Sequence, residues 1–176
     1  MTRMICNIVP FFYYNNQGKA WPRFTSFLQS IRSAEGARLP IGVAGFCWGG
    51  PGTFRLASVG PDTRTEDGKQ PLADALFTAH PSALAIPDSI KSVKTNISVA
   101  NGDQDMALSM EKLNIIKETL EGLDGVDSEV VVYPGAGHGF SIRADKEGNK
   151  QQARQAEDAE KQAIAWFQRQ FAKVEY

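Results

Sequence analysis

The stretch Ile41-Gly-Val-Ala-Gly-Phe-Cys-Trp-Gly-Gly-Pro-Gly-Thr-Phe-Arg-Leu-Ala-Ser58 sets the fold class. Its opening run, Ile41–Gly45, is short and apolar and predicts a buried strand. The part that runs on to Ser58 is compatible with a helix. Between them, Gly45-Phe46-Cys47-Trp48-Gly49 places a nucleophilic side chain between two glycines. A nucleophile on a tight strand-to-helix turn needs that spacing, because flanking glycines let the backbone fold sharply and let strand and helix approach. A helix N-terminus favours a thiolate, and the Trp48 N–H would point at a developing oxyanion. Pro51 is tolerated in a first helical turn, where its missing N–H is not needed. The alternative is a buried cysteine in a glycine-rich βα turn, which is common.

Working outward, the apolar runs Met4–Val9, Ala75–Ala79 and Ile97–Ala100 also predict strands. The most β-branched run, Glu129–Tyr133 (EVVVY), predicts another. All are continuous rather than alternating, as strands covered on both faces should be. Helical spacing appears over Pro22–Arg32 (Phe24, Phe27, Leu28, Ile31), over Leu108–Leu120 with Gly122 as a stop, and over Lys150–Phe171. In the last of these, Ala153, Ala156, Ala163, Trp166, Phe167 and Phe171 share one side. Gly60–Pro71 and Arg143–Lys150 read as surface loops. Strands alternating with helices predict an α/β domain with a mainly parallel sheet.

The whole chain is expected to be one domain, since 176 residues fall within the usual span of one. Its 42% hydrophobic and 22% charged residues suit a globular core. A net charge of −1 gives no field that would recruit nucleic acid or an anionic membrane. No window is apolar enough to span a bilayer, and Met4–Tyr14 lacks the cleavage site of a signal peptide. Two cysteines make no disulfide framework and, with two histidines, make a poor metal site. The expectation is a cytoplasmic protein with Cys6, a core residue, and Cys47 both reduced. No metal and no cofactor is expected.

Two further motifs bear on chemistry. Asn101-Gly102-Asp103-Gln104-Asp105 follows the strand run Ile97–Ala100. Carboxylates at the C-terminal end of a parallel strand lie where α/β sites are built, although an Asp-rich turn capping the next helix has the same look. Gly135-Ala136-Gly137-His138-Gly139-Phe140 follows Glu129–Tyr133. A histidine among glycines suits a general base, and equally a hydrogen-bonded loop residue. Taken together, nucleophile, acid and histidine follow one another at 47, 105 and 138, each after its own strand. That is the chain order of α/β-hydrolases. His80, in Ala-His-Pro-Ser, reads as a structural or pocket-wall residue. Arg143 could fork onto an anionic group, or be a solvated loop arginine.

Gly45-Phe-Cys-Trp-Gly-Gly, His80-Pro-Ser, Gly102-Asp-Gln-Asp105 and His138-Gly-Phe-Ser-Ile-Arg143 together resemble the dienelactone hydrolase family, its fungal members above all. The resemblance runs from about Ile5 to Phe171. It implies an α/β-hydrolase-like fold and a Cys-His-Asp triad that cleaves small esters or lactones through a covalent acyl-enzyme. Carried over, Cys47 is the nucleophile, His138 the base and Asp105 the acid, with Asp103 second. Trp48 supplies an oxyanion donor. Arg143 matches the arginine that contacts a substrate carboxylate, and His80 and Phe46 are the other expected substrate contacts. Only 46 residues precede Cys47, and Met4–Phe12 looks like the family's segment before the helix that leads to the elbow strand. The resemblance therefore implies that the first strands, the first helix, one oxyanion donor and a glutamate that helps activate the cysteine are absent. Such a sheet is expected to cover its open edge by forming a homodimer. The alternative function is a weakly active or inactive binding or assembly module.

Overall fold

The computed structural model describes residues 10–175, apart from residues 12 and 146. The predicted strand Met4–Val9, with Cys6, lies outside the described residues. The elements in chain order are α1 (Gln17–Arg32), β1 (Gly42–Phe46), α2 (Gly50–Ala57), β2 (Ala75–Ala79), α3 (Asp88–Lys91), β3 (Ile97–Gln104), α4 (Met110–Glu121), β4 (Ser128–Gly137) and α5 (Lys150–Phe171). The four strands form one sheet in the order β1-β2-β3-β4, and every neighbouring pair is parallel. This matches the sequence expectation of a parallel α/β sheet.

Side chains alternate across this sheet, so each face gathers its own core. Leu76, Ile97 and Val99 face one way and pack with Trp21, Leu28, Phe54, Ile90, Leu113 and Ile116 from α1–α4. Phe77, Ala79 and Ala100 face the other way and pack against Ala159 and Trp166 of α5. Burying a side chain such as Phe77 contributes about 1.5–3 kcal/mol, and the sheet does this on both faces at once.

The expectation of strands covered on both faces holds for β2, which is buried throughout, and for β3 from Ile97 to Gly102. It fails for β1 and β4, whose residues are mostly half-buried or exposed. The reason is topological: these two are the sheet's edges among the described residues.

Three boundaries move further than the one or two residues seen elsewhere. The helix placed at Pro22–Arg32 begins at Gln17, because the Asn16 side chain caps it by accepting from the Lys19 N–H at 3.1 Å. Strand β3 runs on from Ala100 to Gln104, and β4 from Tyr133 to Gly137, so the first residues of the two motifs are strand ends that pair with each other. Gly102 allows this approach, since a Cβ there would collide with the Ala136 carbonyl. The four-residue α3 carried no signal in the sequence.

Candidate active site

The elbow is built from backbone conformation. Cys47 has φ +51°, a left-handed conformation that costs a non-glycine residue of order 1–3 kcal/mol and marks an over-determined turn. It opens a 3-10 turn, Cys47–Gly49, that leads directly into α2. Gly45 lets helix and strand meet, because a Cβ at that position would run into Thr53 Oγ1 of α2. Gly49 has φ −73° and open space around it, so its spacing from Cys47 does not answer to packing. The close contact at the helix start belongs instead to Gly50, against Pro81. Gly45→Ala is therefore expected to lower stability by about 1–3 kcal/mol, and Gly49→Ala to change it little. Denaturant midpoints of the two variants check this.

The register then brings the next strand end alongside. Phe46 pairs with Ala79, so Cys47 and His80 follow matched positions, and His80 also turns left-handed, with φ +40°. The Ser82 N–H donates to the Cys47 carbonyl at 3.1 Å and locks the two turns together. From the other side, the Gln17 side chain donates to the Trp48 carbonyl at 2.8 Å.

Asp105 stands immediately beyond β3, with its side chain fully enclosed. Its Oδ1 accepts from the N–H groups of Ala107 and Leu108 at 2.7 and 3.3 Å. Both carboxylate oxygens also face His138 Nδ1, at 3.0 and 3.1 Å. The capping turn and the histidine partner are thus the same side chain. Asp103 turns elsewhere and accepts from the Gly135 N–H at 2.7 Å.

His138 follows β4 directly and closes the line. Its Nε2 is 2.9 Å from Cys47 Sγ. Sulfur, imidazole and carboxylate from the ends of β1, β4 and β3 therefore form one hydrogen-bonded chain. Such a chain can take a proton from the sulfur, hold the resulting imidazolium and return the proton. Ser82 Oγ lies 4.0 Å from Sγ on a further side.

The remaining candidates surround this line. His80 has no exposed surface and stands behind His138, so it lies within the protein rather than in an open cleft. Burial, and then the nearby His138, push its pKa down to about 4. Its Nε2 meets Ser141 Oγ at 2.8 Å. Phe46 lines an apolar cleft of about 340 Å³ with Phe77, Ile142, Ile164 and Phe167. Arg143 is exposed and, among the described residues, its guanidinium has no ion-pair partner. With His138, Gln152 and Gln155 it borders a polar cleft of about 220 Å³. Trp48 and Gly49 border a third cleft, of about 240 Å³, against Trp21 and Phe24. Sequence reasoning did not single out Gln17, Ser82 or Ser141. Ser82 and Ser141 stood inside quoted motifs, but their partners are 35 and 61 residues away, beyond the reach of spacing.

Residues 15–171 match the model of the dienelactone hydrolase family. The hydrolase tropI of Talaromyces stipitatus is 30% identical over 128 residues, 72% of this chain and 44% of that protein. A carboxymethylenebutenolidase homolog of Xenopus tropicalis is 25% identical over 133 residues, 72% of this chain and 47% of that protein. The chain thus spans less than half the length of these two relatives. An alpha-beta serine hydrolase homologue from Coxiella burnetii superposes with a TM-score of 0.57 at 19% identity, over 86% of this chain and 61% of that one. Its likeness shows the fold, which is of the α/β-hydrolase kind.

Proposed function

Since this chain belongs to the dienelactone hydrolase family, we propose that it hydrolyses small esters or lactones through a Cys47 acyl-enzyme. The observation that carries the reading is the unbroken line from Cys47 Sγ to His138 Nε2 at 2.9 Å and from His138 Nδ1 to Asp105 at 3.0 Å. The thiol proton passes to His138 Nε2 as Sγ bonds to the carbonyl carbon. Asp105 holds Nδ1–H and steadies the imidazolium. The carbonyl oxygen becomes an oxyanion facing the Trp48 N–H, which sits in the first turn of a helical segment and has no acceptor earlier in that turn. The C–O bond then breaks, and the leaving alkoxide takes the proton from His138. In a lactone the new hydroxyl stays on the acyl chain. His138 next takes a proton from water as the hydroxide adds to the thioester. The thiolate leaves, takes that proton back and releases the acid.

Arg143, exposed beside His138 and without an ion-pair partner among the described residues, is the group to meet a substrate carboxylate. Phe46 and the cleft beside it would then take an apolar portion.

The test is direct. An activated acetate ester mixed with the chain and quenched in acid is expected to leave one acetyl group on the Cys47 peptide, seen by mass spectrometry. The same protocol on Cys47→Ala should leave none there. Turnover without an acetylated Cys47 would reject the covalent route, and no turnover at all would turn attention to ligand binding without chemistry.

A further inference from the structure

Among the described residues, His80 is the one fully buried titratable side chain near the site that the proposed chemistry does not use. Three features set it apart. It carries a left-handed backbone at φ +40°, in register with the strained Cys47. Its ring packs edge-on to His138, with centroids 5.2 Å apart and planes at 71°, and has Phe46 and Phe140 on its other sides. Its Nε2 bonds Ser141, while its buried Nδ1 has no hydrogen-bond partner among the described residues.

An unsatisfied buried nitrogen calls for a reason, because an apolar ring would fill the same space without the penalty. Nε2 and Ser141 Oγ share one hydrogen bond, and either can be its donor, according to the tautomer of the ring. Ser141 is three residues beyond His138, in the turn where the Ile142 and Arg143 N–H groups both donate to the Gly139 carbonyl. The bond therefore ties the end of β2 to the loop that bears His138. The two hydrogen bonds of His138 itself leave its ring free to rock about the line joining its nitrogens. The ring of His80 blocks that motion.

We propose that His80, tethered to Ser141, is a positioning residue that holds the His138 imidazole in line between Asp105 and Cys47. Its neutrality suits the task, because a second positive charge 5.2 Å away would oppose the imidazolium that must form. Burial, then His138 and, less, Arg143 favour the neutral form, against a contact with the residue's own backbone and the charge of Asp105. The proposal rests on the reading of Cys47 and His138 as nucleophile and base.

His80→Phe keeps a ring and loses the bond, and Ser141→Ala removes the same bond from its other end. On an activated acetate ester each is expected to lower kcat about ten- to a hundred-fold with KM changed by less than about two-fold. The double variant is expected to be no slower than the slower single, because both changes delete one interaction. Ser141→Thr, which restores a hydroxyl, should recover most of the rate, and it keeps the test open if His80→Phe does not fold. Alkylation of Cys47 by iodoacetamide, followed on its peptide, should slow in the same order with no turnover involved. Additive losses in the double variant, or an unimpaired Ser141→Ala, overturn the proposal. If wild-type Cys47 alkylates no faster than in His138→Ala, the nucleophile–base reading fails and takes this proposal with it. Fast wild-type alkylation that Ser141→Ala leaves untouched removes the role of His80 alone.

Discussion

Asp105→Asn is expected to hydrolyse an activated ester about 10³–10⁴-fold more slowly than the wild type, with Asp103→Asn close to normal. The reason lies in which atoms already hold the carboxylate. Oδ1 of residue 105 accepts from the Ala107 N–H at 2.7 Å and the Leu108 N–H at 3.3 Å. An asparagine must keep its amide oxygen on that side to satisfy those donors. Its NH₂ group then faces His138 Nδ1 and donates where the carboxylate accepted. Nδ1 must give up its proton to receive that bond, so Nε2 carries the hydrogen and can no longer take one from Cys47. The variant should fold, since the turn bonds survive. His138→Ala should lose as much, for lack of any base. Among the described residues the Asp103 side chain bonds the Gly135 N–H, and an asparagine oxygen can keep that contact. Steady-state rates beside circular dichroism spectra decide the matter. An Asp105→Asn rate within ten-fold of wild type, or an equal loss in Asp103→Asn, would remove Asp105 from the role proposed for it.

That same pair shows why part of the site could be read from sequence and part could not. The strand cores declared themselves: β2 ends where its apolar run ends, and α5 spans Lys150–Phe171 as its period predicts. Chain order, with each residue after its own strand, brought Cys47, Asp105 and His138 into one hypothesis, and the family resemblance put Asp105 ahead of Asp103. Asp103 and Asp105 share strand parity, however, and simple alternation would point them the same way. The register slips between Gly102 and Gln104, and that irregularity sends the two carboxylates to different partners. A bulge of this kind depends on the opposing strand. Here the opposing strand is Pro134-Gly-Ala-Gly137, whose composition reads as loop and whose pairing exists only because Gly102 admits the Ala136 carbonyl. Propensity is a local quantity, and a sheet is not assembled locally. The tether from His80 to Ser141 is of the same type, joining residues that no spacing rule connects. The exposure of β1 was likewise illegible, because an edge is a property of the sheet and not of the strand.

Removing Arg32 is expected to cost about 3–5 kcal/mol of stability, the largest loss anticipated for a residue that takes no part in the chemistry. Arg32 ends α1 with its side chain fully enclosed, a rare place for a guanidinium. It donates to the carbonyls of Pro71, Gly36 and Leu39 at 2.8–3.0 Å and pairs with Asp74 at 2.6 Å. Asp74 Oδ2 in turn accepts from the Ile41 N–H at 2.7 Å, at the entrance to β1. One cation thus gathers the loop after α1, the loop before β2 and the start of the elbow strand. Arg32→Met would leave Asp74 enclosed without the guanidinium and would take a donor from three carbonyls, of which that of Gly36 keeps the Leu39 N–H. Exchanging both members of a buried pair for apolar residues is often neutral. Here it should not be, because Arg32→Met with Asp74→Leu still takes the side-chain donor from the Pro71 and Leu39 carbonyls and the acceptor from the Ile41 N–H. The double variant is therefore expected to recover only part of the loss. Urea titrations of the wild type, both singles and the double test this. A double variant as stable as the wild type would show that the pair, and not the backbone it gathers, is what Arg32 serves. A loss below about 1 kcal/mol in Arg32→Met would show that the site relaxes around the missing charge, which the close packing of a protein interior opposes.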